Sequence, residues 1–328
     1  MKNNVGNCKK GFHAYLVSQV GNIARLLFYY PFAWFVVNAL PVSAVLKIAR
    51  AKAVVWGTFM DKKRKNALLN RFGNLKKEFH FKQSARQLFL DYLTNHVFIK
   101  LSPLMYGALA RTPTENLFVI KNRHHLDRAL KKKRGAVLTT AHFGPSMLLA
   151  FWAGENYHTG LLRLLYDKRE ATFGHRLARN RVRQLSEFIP VTYIDVQGDL
   201  SAREKLLSEN GLIVQTGDGA SVMTGIGKLI PVPFLARRVL FAKGPFSLAY
   251  RTKALVVPYF VRLIGKKLEV TFYPALDPEK AFKGDKDAWI QEAAALFASD
   301  FEAALFTAPG TWQLWELFES QKLIIDMD

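Results

Sequence analysis

The sequence predicts an α/β fold: a mostly parallel, twisted sheet flanked by helices, with an N-terminal hydrophobic membrane-anchoring helix ahead of it. Three observations carry that expectation. From Leu117 onward, short apolar runs alternate with segments of helical spacing. One of those runs, Ala136-Val137-Leu138-Thr139-Thr140, leads through Ala141-His142-Phe143-Gly144-Pro145 into a helical stretch from Ser146 to Trp152. Far upstream, Leu26–Leu46 is almost wholly apolar and bracketed by Arg25 and Lys47.

In chain order, residues 1–25 form a basic N-terminal tail. Residues 26–47 are the expected anchor, since about 21 apolar residues approach the thickness of a bilayer core. Pro31, Pro41 and Asn38 interrupt it and both flanks are basic, so it lies in one leaflet or spans with a kink; a buried core helix is the soluble alternative. Residues 48–110 are a basic, amphipathic helical segment that carries Arg50, Lys52, Lys62–Lys65, Arg71, Lys76 and Lys77. Such a face suits either solvent or acidic lipid. Residues 111–328 form one α/β domain. Its expected strands are Leu117–Ile120, the run ending at His142, Gly160–Leu165, Val191–Ile194, Leu212–Gln215, Ala254–Leu263 and Lys267–Tyr273. Its expected helices are His124–Lys133, Ser146–Trp152, Ala171–Glu187, Ala202–Ser208, Phe246–Thr252 and Trp289–Phe306.

Composition narrows the chemistry. The chain has 328 residues, 25 of them Phe, a single cysteine and a formal charge of +21. One cysteine, Cys8, excludes a disulfide framework and a cysteine-based zinc site. His124 and His125 are adjacent on one helix, point about 100° apart and cannot easily share a metal, so no metal is expected. No phosphate-binding loop of the Gly-x-x-x-x-Gly-Lys-Ser/Thr type is present. The positive surface attracts anionic lipid, acidic protein, nucleic acid or phosphorylated substrate. The apolar N-terminus argues against a nucleic-acid binder.

His142 is the residue the rest is organised around. A strand followed by Gly-Pro and a helix puts it at the carboxyl end of a parallel strand, where open α/β sheets bind ligands. Pro145 suits the first turn of the following helix, whose free N–H groups favour an anion.

These residues resemble the lysophospholipid acyltransferase superfamily, and within it the bacterial late acyltransferases of lipid A assembly, of lauroyl and myristoyl type. The similarity runs through Leu40-Pro41 and the basic helix, Asn122–Leu130, Arg134-Gly135-Ala136-Val137-Leu138 and Ala141-His142-Phe143-Gly144. It continues through Gly211-Leu212-Ile213-Val214 with Thr216-Gly217-Asp218-Gly219, Pro231-Val232-Pro233-Phe234-Leu235-Ala236-Arg237, Lys243-Gly244-Pro245, Ala254–Pro258 and Pro309-Gly310-Thr311-Trp312. The resemblance implies transfer of an acyl group from an acyl carrier protein or coenzyme A thioester to a hydroxyl on a lipid; an amine of a lipid-like acceptor is the easier alternative. It implies no further cofactor, a monotopic or single-span position on the cytoplasmic face of a bacterial inner membrane, and membrane lipids and an acyl carrier protein as partners.

The family signature is His-x-x-x-x-Asp/Glu: the histidine is the general base and the carboxylate orients it. Here the acid position holds Met147, whose thioether cannot hold an imidazolium. Three accounts follow. Another acid fills in, with Asp218 preferred over Asp127 and Glu155; or His142 acts alone on an easier acceptor; or the chain is a catalytically inactive relative that binds acyl lipids or thioesters. The expected catalytic residues are His142 and Asp218. The expected substrate contacts are Gly144, which with the helix N-terminus would hold the oxyanion, Ser146, Met147, Lys168, Arg169, Phe234 and Arg237. Lys168 and Arg169 stand where the family often has a phosphate-reaching arginine, though a solvated pair fits as well.

Overall fold

The computed structural model describes residues 40–102, 109–157, 159–163, 191–195, 200–219, 227–281, 285–320 and 322–325. Three helices lead. α1 (Val42–Phe59) begins directly after Pro41. α2 (Lys62–Phe79) is capped by the Asp61 carboxylate, which accepts from the Arg64 N–H, and ends at His80 in the left-handed conformation. α3 (Ala85–Leu101) starts where the Ser84 hydroxyl accepts from the Gln87 N–H. Such caps satisfy N–H groups that have no partner inside the helix. α1 and α2 both pack on α3, which buries Leu88, Phe89, Tyr92, Leu93, Val97 and Phe98.

The α/β part follows as β1 (Phe118–Lys121), α4 (His124–Leu130), β2 (Ala136–Thr140), a 3-10 turn at Ser146–Leu148, α5 (Leu149–Asn156), β3 (Thr159–Arg163), β4 (Val191–Asp195), α6 (Leu200–Ser208) and β5 (Leu212–Thr216). Then come β6 (Leu229–Phe234), β7 (Arg237–Ala242), α7 (Gly244–Thr252), β8 (Leu255–Ile264), β9 (Lys267–Phe272), α8 (Lys286–Thr307), a 3-10 turn at Pro309–Thr311, α9 (Trp315–Glu319) and β10 (Ile324–Ile325). The main sheet has seven strands in the order β1-β9-β8-β2-β5-β3-β4. β8, β2, β5, β3 and β4 run parallel, while β9 is antiparallel to β8 and carries β1 with it. β2 is buried at every position, as a central strand covered on both faces must be.

The mostly parallel sheet and its flanking helices match expectation. A second, three-stranded antiparallel sheet, β10-β7-β6, does not. Pro231 and Pro233 hide β6 from a strand search, because proline cannot donate to a ladder. β6 tolerates them by pairing only with β7. The basic helix expected at 171–187 and residues 26–39 of the expected anchor lie outside the described residues. The remainder of that anchor, from Val42, belongs to α1, which runs through the expected divide at residue 47. Among the described residues no helix is long and apolar enough to cross a membrane.

The long helix α8 lies over the sheet and buries Phe297 and Phe301 in its middle. Their rings meet Phe260 of β8 at centroid distances of 5.7 and 5.2 Å, and Phe301 stacks on Phe234 of the small sheet at 5.1 Å. This aromatic layer joins the two sheets behind the carboxyl ends of β2 and β5.

Candidate active site

β2 ends at Thr140, two residues before His142, and β5 ends at Thr216, two residues before Asp218. The two strands are parallel neighbours with Thr140 opposite Thr216, so both exit loops leave the sheet at the same level. The Gly217 N–H then donates to the Thr140 carbonyl at 2.7 Å and holds the loops side by side. The imidazole Nδ1 of His142 lies 2.6 Å from Asp218 Oδ1, and the His142 backbone N–H donates to Asp218 Oδ2 at 2.8 Å. The Asp218 side chain has no solvent exposure, while the His142 side chain keeps 32% of its own.

A buried carboxylate is tolerated only when its oxygens are well bonded. Three donors meet that need, the third being the Trp312 indole N–H, 3.1 Å from Oδ2. Burial pushes the His142 pKa down, but the adjacent Asp218 charge and its hydrogen bond push it up by more, so it is raised above the ordinary histidine value. The arrangement is a partly accessible imidazole with one nitrogen held by a buried acid. Its other nitrogen can take a proton from a hydroxyl or amine.

The other candidate acids are engaged elsewhere. Asp127 accepts from the Tyr157 hydroxyl at 3.0 Å, and Glu155 accepts from Thr114 Oγ1 at 2.8 Å. Met147, at the family's acid position, lies in the 3-10 turn after Pro145 and packs against the core.

Four expected substrate contacts are placed differently by the fold. Gly144 stands at φ +62°, and its N–H already donates to the Thr311 carbonyl at 3.2 Å, so that amide is not free for an oxyanion. A Cβ there would come within 2.1 Å of the Val261 carbonyl oxygen, which makes Gly144 a structural requirement of the turn. Ser146 is buried, and its carbonyl accepts from the Tyr259 hydroxyl at 3.2 Å. Phe234 is core, packed among Phe241, Phe301, Trp312 and Phe318. Arg237 pairs with Glu78 of α2 at 2.5 Å and lies over the Phe318 ring. For Gly144, Phe234 and Arg237 a long-range contact takes up the group, and for Ser146 the side chain is buried. Lys168 and Arg169 lie outside the described residues.

Sequence reasoning missed the segment that backs the pair. Pro309–Gln313 runs antiparallel to the His142–Gly144 turn: Phe143 bridges Trp312, and the Gln313 N–H donates to the His142 carbonyl at 2.9 Å. Asn95 of α3 ties this strap down from outside, its Nδ2 reaching the Thr311 carbonyl at 2.5 Å. The signal is the Pro309-Gly310-Thr311-Trp312 block, which the family likeness marks without assigning it a role.

No curated protein matches the chain. Among solved structures, the crystal structure of the 1-acyl-sn-glycerophosphate (LPA) acyltransferase PlsC from Thermotoga maritima is 12% identical, with 79% of this chain and 98% of that chain covered and a TM-score of 0.35. The sequence profile of the bacterial lipid A biosynthesis acyltransferases matches residues 21–315, nearly the whole chain and with it the strand ends, the His142 turn and the Trp312 strap. By that match the chain belongs to the bacterial lipid A biosynthesis acyltransferase family and is an acyltransferase.

Proposed function

We propose that this acyltransferase moves a fatty acyl group from an acyl carrier protein or coenzyme A thioester to a hydroxyl or amine of a lipid-like acceptor. It would work at the cytoplasmic face of a bacterial inner membrane. The observation that carries the proposal is the His142–Asp218 pair, 2.6 Å apart at adjacent strand ends.

In the proposed step, the acceptor O–H or N–H gives its proton to His142 Nε2 as the oxygen or nitrogen attacks the thioester carbonyl carbon. The carbonyl π electrons move to oxygen. When they return, the C–S bond breaks, and the leaving thiolate takes the proton from the imidazolium to become a thiol. Asp218 keeps the proton on Nδ1 and stabilises the imidazolium. The inactive-binder alternative rested on Met147, and it loses that support once Asp218 sits on the imidazole.

Two features favour a lipid surface and an acidic donor protein. The chain carries +21. α1 exposes Ile48, Val54, Val55 and Phe59 beside the exposed cations Lys47, Arg50 and Lys52. An apolar strip edged with cations suits an anionic bilayer interface.

The test is thioester consumption by purified protein in detergent, with acyl carrier protein and coenzyme A thioesters as donors and total bacterial lipid extract as acceptor. A new acyl lipid formed by wild type, and lost in His142→Ala and Asp218→Asn, supports the proposal. Equal turnover in wild type and His142→Ala removes His142 from the mechanism.

A further inference from the structure

Asp218 Oδ2 takes two donors from different parts of the chain, the His142 backbone N–H at 2.8 Å and the Trp312 indole N–H at 3.1 Å. Two fixed donors on one oxygen set the rotation of the carboxylate, and so aim Oδ1 at the imidazole. The indole is itself immobile. Trp312 is fully buried, with the rings of Trp315, Phe301, Phe234 and Phe318 at centroid distances of 4.9, 5.5, 5.6 and 5.7 Å. Its backbone neighbours hold the base: the Gln313 N–H donates to the His142 carbonyl, and the Thr311 carbonyl accepts from Gly144. One short segment thus grips the acid with a side chain and the base with its main chain.

The choice of residue fits the task. Tryptophan offers an apolar body and one N–H that donates without titrating in the pH range of the reaction. Phenylalanine would fill the space and leave Oδ2 short of a donor. The strap also fits its support closely, since a Cβ on Gly310 would lie 2.7 Å from Asp91 Cβ and 3.0 Å from the Leu88 carbonyl oxygen of α3.

We propose that Trp312 is a positioning residue for the acyl transfer: it orients Asp218, and through Asp218 the imidazole of His142, while Asn95 holds the strap from α3. The inference rests on the function proposed above for its kinetic part, and on geometry alone for its spectroscopic part.

The experiment compares wild type, Trp312→Phe, Asp218→Asn and the double variant, with Phe241→Leu as a control that disturbs the same aromatic layer, against Phe234 and Phe297, but leaves the rings packed on the indole in place. Turnover is measured with acyl carrier protein and coenzyme A thioesters in detergent, and the Nδ1–H proton of His142 is followed by NMR on histidine-labelled protein. A hydrogen bond to a charged group is worth roughly ten- to a hundredfold in rate when it matters only to the reacting state. Trp312→Phe is therefore expected to lower kcat by about that factor at unchanged KM and to broaden or erase the downfield Nδ1–H signal. It adds little in the Asp218→Asn background, and Phe241→Leu keeps both kcat and signal. Wild-type kcat and an intact signal in Trp312→Phe overturn the inference. So does an equal loss with and without Asp218, which would mean that the ring acts by packing. If wild type itself shows no turnover, the proposed function fails and the Nδ1–H signal alone decides the role of Trp312. Should Trp312→Phe not fold, Asn95→Ala loosens the strap without touching the aromatic core; the same changes in smaller degree are expected, and unchanged kcat and signal overturn the inference.

Discussion

At the scale of single residues, the site is decided by which hydrogen-bonding groups are already spent. Asp218 has no solvent and three donors, so in the proposed mechanism its part is to hold His142. Because the His142 pKa is raised by that carboxylate, the imidazole loses its proton at a higher pH than an ordinary histidine does. Turnover is expected to rise with pH through a midpoint above the ordinary histidine value of about 6.5, as a pH–rate profile will show. In Asp218→Asn the midpoint falls and kcat drops; neutralising the orienting carboxylate of a serine protease triad, a drop of about 10⁴-fold, is the guide to size. The linkage has the same sign: stability from the pair is fully present below the ordinary histidine value and is lost as pH rises through the raised one. Gly144→Ala faces a positive φ and a backbone oxygen at 2.1 Å. It is expected to lose several kcal/mol, about 2–4, together with most activity, in a denaturant titration run beside the thioester assay.

At the scale of elements, α8 carries the aromatic layer that joins the sheets, yet it also contains Asp300. Burial pushes the Asp300 carboxyl up to about 6. A folded-state value above the unfolded one contributes stability below the ordinary aspartate range, and that contribution is lost as pH rises through about 6. Asp300→Asn is therefore expected to raise the stability of the protein at pH 7.5 by about 1 kcal/mol, after allowing for its partial exposure, and to change little at pH 4. Equal denaturation midpoints of variant and wild type at pH 7.5 would refute this. The same helix shows how β6 was missed from its sequence. Pro231 and Pro233 argue against a central strand, and it takes the partner strand β7, with Gln291 of α8 donating to the Pro231 carbonyl at 2.5 Å, to make an edge strand of it.

At the scale of the whole molecule, charge and apolar surface bear on the same question. The surplus of +21 and the exposed strip on α1 lead us to expect binding to vesicles containing anionic lipid that weakens as salt is raised. Replacing Val55 and Phe59 together by serine is expected to lower vesicle binding about tenfold or more, since each removes roughly 1.5–3 kcal/mol of apolar burial if fully inserted. Co-sedimentation with anionic and neutral vesicles measures both effects. Binding that ignores lipid charge would count against the electrostatic part, and binding that survives the double substitution would count against α1 as the contact. One of the three leading helices also reaches the site: α3 supports the Thr311–Trp312 strap through Asn95, so the N-terminal helical layer and the His142 turn share one support.

What the sequence by itself determined is the alternation of strands and helices, the placing of His142 just beyond a central strand, and the family likeness carried by ordered short blocks. Periodicity specifies which residues face a core, and turn chemistry specifies where an element stops; both are local. What only the tertiary structure decided is who meets whom. Asp218 lies 76 residues from His142 and reaches it because β2 and β5 pair in parallel register. The Gly144 amide, the Phe234 ring and the Arg237 guanidinium each looked available for substrate. They proved committed to Thr311, to the aromatic layer and to Glu78. A hydrogen-bonding group is free or spent according to partners that the fold brings from far along the chain, and no local pattern records that.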